Sequence, residues 1–171
     1  MLNPDGFEPA LCRKEEGKLS FSGPVLLEFL KAVLDKGVPF RFRANGYSMS
    51  PFIRDGDIVT VSPLFDAALH LGDVVALSHP EIGRLVVHRV VGGKDFSYIT
   101  KGDNASAEDG LVLREKILGL VTKVERNGEK VKLGLGPERF LIAILSRRRL
   151  LSSILFSMRR LLSVFPRRCF S

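Results

Sequence analysis

Residues 72–103 read GDVVALSHPEIGRLVVHRVVGGKDFSYITKGD, and their patterning decides the fold class. Short apolar runs fall at Asp73–Ser78, Arg84–Val91 and Phe96–Thr100, separated by Leu71-Gly72-Asp73 and Gly92-Gly93. Runs of that length between turn formers predict strands, not helices. The same alternation extends outward in both directions. It predicts strands near Phe40–Ala44, Asp57–Ser62, Ile117–Glu125 and Lys130–Leu135, punctuated by Asp55-Gly56 and Asn127-Gly128. Many short strands at this spacing indicate a mainly β protein with a coiled antiparallel sheet. Sixteen glycines, nine prolines and no tryptophan agree with a turn-rich architecture rather than a helical bundle.

Both ends of the chain depart from this pattern. A helix is predicted from Gly23 to Lys36, with Ser22 as N-cap, Pro24 near its first position and Gly37 as terminator. Leu26, Leu27, Leu30, Val33 and Leu34 form its apolar face, while Glu28, Lys31 and Asp35 exclude a membrane span. After Gly136-Pro137 the spacing of three and four returns, with arginine clusters between the apolar positions. The organisation read from these shifts is a mobile segment over 1–21, one domain over 22–136, and a basic amphipathic helical tail over 137–171.

The formal charge of +7 is confined to that tail. From Glu138 to Ser171 there are eight arginines and one acid, which leaves the first 137 residues neutral. Such asymmetry argues against a diffuse nucleic-acid footprint, so no nucleic-acid partner is expected. An arginine-rich amphipathic helix over 138–168 suits an anionic membrane surface, with the arginines reaching the headgroups. The alternatives are packing on the protein's own sheet or binding a partner. Cys12 and Cys169 form neither a metal-ligand spacing nor a disulfide framework, which implies a reduced compartment. The N-terminal stretch has no apolar core of a secretory signal. The expected location is therefore cytoplasmic, with peripheral contact at the cytoplasmic membrane face. No metal or cofactor is expected.

Three segments carry candidate chemistry. Gly46-Tyr47-Ser48-Met49-Ser50-Pro51 joins a strand to a tight turn, where a serine hydroxyl can be exposed beside backbone N–H groups. His88 shares a strand face with Val86 and Val90, an apolar setting that favours a neutral imidazole and suits a general base. His70 and His79 fall in loops and read as surface residues. Thr100-Lys101-Gly102-Asp103-Asn104 and the following Asp109 place carboxylates after a strand, where one could orient the histidine. Taken singly, each segment is equally well read as a polar turn, a core histidine or an Asx turn.

In their order, Ser-Met-x-Pro, Asp-Gly-Asp, Gly-Asp-Val-Val, His-Arg-Val and Thr-Lys-Gly-Asp-Asn resemble the type I signal peptidase superfamily, which includes the LexA-type autoproteases. The resemblance spans about Phe40 to Glu125 and is closest to the archaeal and endoplasmic-reticulum branch, which has a histidine where bacterial leader peptidases have a lysine. It implies the coiled β-fold of that superfamily and a serine endopeptidase acting on peptides or precursor proteins. It further implies Ser48 as nucleophile, His88 as general base, Asp109 as the histidine's partner and Asp103 as a shaper of the loop. Gly46 and Tyr47 depart from the family pattern, and the N-terminal membrane anchor is not expected here. Two other functions compete: a LexA-like regulator that cleaves itself, and a non-catalytic β-module with a membrane-binding tail.

Overall fold

The computed structural model of the protein describes residues 12–15, 18–21, 23–65, 67–148 and 150–151. Ser22, the expected helix cap, lies outside the described residues, as do Cys169 and the tail beyond Leu151. Strands β1 (Cys12–Glu15) and β2 (Lys18–Phe21) pair with each other within the segment read as mobile. Helix α1 (Gly23–Asp35) follows. Its Leu30 and Leu34 are buried, whereas Glu28, Lys31 and Asp35 face solvent. The Gly37 N–H donates to the Leu34 carbonyl at a φ of 76°, the left-handed conformation that closes helices without Cβ strain.

One eight-stranded antiparallel sheet makes up most of the domain. Its members are β3 (Phe40–Arg43), β4 (Ile58–Pro63), β5 (Val74–Ser78), β6 (Leu85–Lys94), β7 (Ser97–Lys101), β8 (Leu111–Leu113), β9 (Ile117–Arg126) and β10 (Glu129–Lys130). The order across the sheet is β3-β4-β9-β5-β6-β7-β8, with β10 paired to β9. With α1 and α2 (Arg139–Arg147), the protein is mainly β with two α-helices among the described residues, as the alternating pattern predicts.

Central strand β5 is apolar on both faces. Val74 and Ala76 join Leu30, Leu34, Met49 and Val59 in one core. Val75 and Leu77 join Leu64, Val90, Val112 and Ile117 in the other, as the period of two requires. At about 1.5–3 kcal/mol for each fully buried Val or Leu, these cores rigidify the sheet that carries the site.

Three details differ from expectation. Gly92-Gly93 is not a turn but lies inside β6, beside a register shift between Val90 and Gly92. A Cβ on Gly93 would lie 2.6 Å from the Ser97 carbonyl oxygen, so close strand approach requires the glycine. The strand expected over Lys130–Leu135 stops at Lys130. There the chain leaves the sheet, and the Gly134 carbonyl accepts a hydrogen bond from Arg89 at 2.8 Å. Strand β8 was not expected: its buried Val112 sits between exposed Leu111 and Leu113, which inverts the usual apolar alternation.

Helix α2 buries Ile142, Ala143 and Ser146. Gly72 accommodates it, since a Cβ there would lie 2.7 Å from the Arg139 carbonyl. Buried Lys101 donates through Nζ to the Ser146 carbonyl at 2.6 Å, near the helix C-terminus where a cation is favoured. The first turns of the tail therefore pack on the protein's own sheet. Phe140, Leu141, Ile144, Arg147 and Arg148 remain exposed. Among the described residues no helix is long and apolar enough to cross a membrane.

Candidate active site

The loop after β3 presents Ser48. Its two ends are tied together by hydrogen bonds from the Ala44 N–H to the Asp57 carbonyl and from the Gly56 N–H to the Ala44 carbonyl, both 2.8 Å. Within it, the Gly46 N–H donates to Asp55 Oδ1 at 2.8 Å, so that amide is engaged within the loop. The Arg126 guanidinium grips Asp57 from β9 at 2.8 and 2.9 Å. Met49 is buried and accepts a turn hydrogen bond from the Ile53 N–H, while its neighbour Ser48 is exposed. Burial of one residue thus turns the next one outward.

His88 comes from β6 and is 7% exposed. Its Nδ1 lies 2.6 Å from Asp109 Oδ2, and its Nε2 lies 3.3 Å from Ser48 Oγ. An ionised carboxylate can only accept, so Nδ1 carries the proton and Nε2 keeps a lone pair for the serine hydroxyl. Thr100 Oγ1 also donates to Asp109 Oδ2, at 2.7 Å. Burial favours the neutral Asp109 carboxyl. The hydrogen bond and charge of His88, the Thr100 hydroxyl and the charge of His79 outweigh that influence and hold its pKa below the usual carboxylate value. The arrangement keeps Asp109 ionised, His88 oriented and the serine oxygen within reach of a base.

The Lys-Gly-Asp-Asn turn acts on Ser48 through the backbone. The Asn104 N–H donates to the Ser48 carbonyl at 2.7 Å, and Asn104 Nδ2 donates to the Tyr47 carbonyl at 3.3 Å. A Cβ on Gly102 would lie 2.7 Å from that same Ser48 carbonyl oxygen, so the turn can abut the serine only with glycine there. Asp103 faces away from His88 and forms a bidentate pair with Arg89 at 2.8 and 2.7 Å, with both side chains fully buried. Arg89 Nη1 also donates to the carbonyls of Gly72 and Gly134.

A cleft opens beside Ser48. Residues Leu85–His88 pair with β5 on one side, whereas pairing with β7 begins at Arg89. Strand β3 ends the sheet, so its outer side is also unpaired among the described residues. Between these edges lies a largely apolar pocket of about 240 Å³ whose lining includes Phe42, Ala44, Ser48, Met49, Leu85 and Val87. Unpaired strand edges offer N–H and C=O groups to an extended peptide.

Ser48, His88 and Asp109 therefore come together from three separate segments, while Asp103 is held by Arg89. His70 is exposed, as expected. The surface reading of His79 needs correction: its side chain is only 14% exposed, and its Nε2 lies 3.5 Å from Asp109 Oδ1. No local signal marks it, because its contact is with a loop distant in sequence. Full burial of Arg89 was also missed, although its strand parity with Val87 and Val91 hinted at an inward direction. Among the described residues no group of three or more His, Cys, Asp or Glu side chains is placed to hold a metal ion. No protein-family model matches the chain, and no curated protein is significantly similar to it.

Proposed function

We propose that the protein is a serine endopeptidase of the signal-peptidase type, with the coiled β-fold of that superfamily. The observation that carries the reading is the continuous hydrogen-bonded series Ser48 Oγ, His88 Nε2, His88 Nδ1 and Asp109 Oδ2, which opens onto a cleft between two unpaired strand edges. A peptide or precursor protein lies extended in that cleft and directs an apolar side chain into the pocket beside Ser48. Ser48 Oγ bonds to the scissile carbonyl carbon as its proton passes to His88 Nε2. The C–N bond then breaks, the amine departs with that proton, and an acyl-enzyme remains. Water, deprotonated by His88, hydrolyses the ester and restores Ser48.

The test is incubation with a peptide library, with products read by mass spectrometry. Cleavage in trans is expected, and it should be lost in both Ser48→Ala and His88→Ala. Cleavage that survives Ser48→Ala sinks this mechanism. Self-cleavage without cleavage in trans supports a LexA-like regulator instead, and no cleavage at all supports a binding module.

The same reading makes the protein cytoplasmic, with the outer face of α2 resting on an anionic membrane. Exposed Phe140, Leu141 and Ile144 beside Arg147 and Arg148 support it. Each arginine near such a surface contributes about 1 kcal/mol. The full chain should sediment with phosphatidylserine vesicles, and Leu141→Glu/Ile144→Glu should not. Equal sedimentation of the two rules out α2 as the contact.

A further inference from the structure

The β5–β6 hairpin ends in a loop that begins at His79 and closes at Arg84. The His79 N–H donates to the Arg84 carbonyl, and the Gly83 N–H donates to the His79 carbonyl, both at 2.9 Å. These bonds satisfy the His79 backbone and fix where its side chain leaves the loop. The Glu81 N–H donates to His79 Nδ1 at 3.3 Å. A ring nitrogen that accepts carries no proton, so the neutral ring is protonated at Nε2. That nitrogen lies 3.5 Å from Asp109 Oδ1, with the imidazole 14% exposed. His70 offers a contrast within the same protein: its ring lies 3.7 Å from Asp73 but is 66% exposed. Two histidines stand near aspartates, and one of the two contacts is shielded from water.

We propose that His79 is a second positioning histidine, whose Nε2 faces the outer oxygen of Asp109 at 3.5 Å and so limits rotation of the carboxylate that orients His88. Both short hydrogen bonds to Asp109, from His88 at 2.6 Å and Thr100 at 2.7 Å, fall on Oδ2. Taken alone they leave the carboxylate free to pivot about that oxygen. A polar contact at Oδ1 restrains the pivot, because it addresses the other end of the group. Steady orientation of Asp109 keeps the His88 lone pair directed at Ser48 while the serine proton moves. Displacements of the order of 1 Å in such a constellation cost about 100-fold in rate, so control of a carboxylate's rotation is consequential. His79 touches neither Ser48 nor a substrate in this role. The inference rests on the hydrolase reading above.

The experiment uses a fluorophosphonate, which modifies a serine by forming an O–P bond as fluoride leaves and the serine proton passes to the base. The full chain, Ser48→Ala, His79→Leu and His79→Gln are compared by the rate of labelling. The downfield proton NMR resonance of the His88 Nδ1–H is recorded in parallel. His79→Leu should label about fivefold more slowly, since a 3.5 Å contact is longer and weaker than an ordinary hydrogen bond. His79→Gln, whose amide can still donate to Asp109, should stay within about twofold of the parent. The His88 resonance should broaden in the leucine variant and persist in the glutamine variant. Should His79→Leu fail to fold, His79→Asn, with a shorter reach, takes its place. Equal labelling by the leucine variant and the parent, or a glutamine variant as slow as the leucine one, overturns the positioning role and leaves the hydrolase reading intact. A parent protein that the probe leaves unlabelled, with no peptide cleaved, overturns the hydrolase reading and the role with it.

Discussion

His88 and Arg89 are adjacent on β6, and each meets an aspartate from the same loop, yet the two pairs are built for opposite purposes. Arg89 and Asp103 are fully buried and doubly bonded, and the guanidinium has further carbonyl partners at Gly72 and Gly134. A permanent charge in that setting joins the start of β5, the segment after β10 and the Lys-Gly-Asp-Asn turn into one body. His88 and Asp109 share one short bond, and the imidazole's other nitrogen faces an exposed hydroxyl. Strand alternation separates these roles: one face of β6 fixes the backbone, and the other can pass a proton. In the proposed mechanism, the adjacent arginine supplies the rigidity that a proton-transferring histidine requires.

Asparagine substitution at each aspartate should break this comparison most sharply. Asp109→Asn should lower kcat by about 10³–10⁴-fold, because an amide can no longer enforce the Nδ1–H tautomer of His88. Its melting temperature near neutrality should change little beside that loss. Asp103→Asn should do the reverse, with much of the cost falling on stability. Peptide-cleavage rates and thermal melts on the two variants provide the check, and matching phenotypes would dissolve the distinction.

Arg89→Met gives the next largest effect. It strands the Asp103 carboxylate in a dry site, which costs about 3–5 kcal/mol and on the order of 10 °C in Tm. The double variant Arg89→Met/Asp103→Leu removes both charges and should recover a large part of that loss, as measured by denaturant unfolding. If the single variant melts like the parent, the pair does not hold the loop.

How much of this was legible in the sequence follows from which interactions are local. Strand β9 is legible by alternation, because it buries Ile117 and Val121 at a period of two, whereas β5 and β6 are legible as short apolar runs between turn formers. Strand β8 escaped because Leu111 and Leu113 point outward around Val112. Helix α1 was readable from its spacing and from Gly37. Ser48, His88 and Asp109 become candidates only through the order of their motifs, since no single segment distinguishes a nucleophile from a polar turn. His79 escaped because a histidine in a Pro- and Gly-containing loop looks solvated unless its distant carboxylate is known. The glycines at 93 and 102 read as chain punctuation or as motif, whereas the backbone crowding that requires them exists only after folding.

The smallest effect sharpens the contrast between titratable and permanent partners. Asp57 resembles Asp103 in having a guanidinium partner, but its partner Arg126 is partly exposed. Burial pushes the Asp57 carboxyl up. Bonds from Arg126 and the Arg54 N–H, with the charges of both arginines, outweigh it and lower the pKa below its usual value. Asp109 is lowered as well, against its own burial and chiefly by His88. A depressed folded-state pKa contributes stability that is fully present above the unfolded value, about 3.9, and is lost as pH falls through the folded one. The advantage of the parent over Asp57→Asn should therefore be constant from about pH 7 to about pH 5 and shrink below about pH 4. Its Asp109→Asn counterpart should likewise shrink in acid, since that carboxyl is also held below its usual value. Thermal melts across this range measure both curves. A gap for Asp57→Asn that persists unchanged into acid means the carboxylate charge contributes nothing there, and the loop that presents Ser48 is then held by its backbone hydrogen bonds.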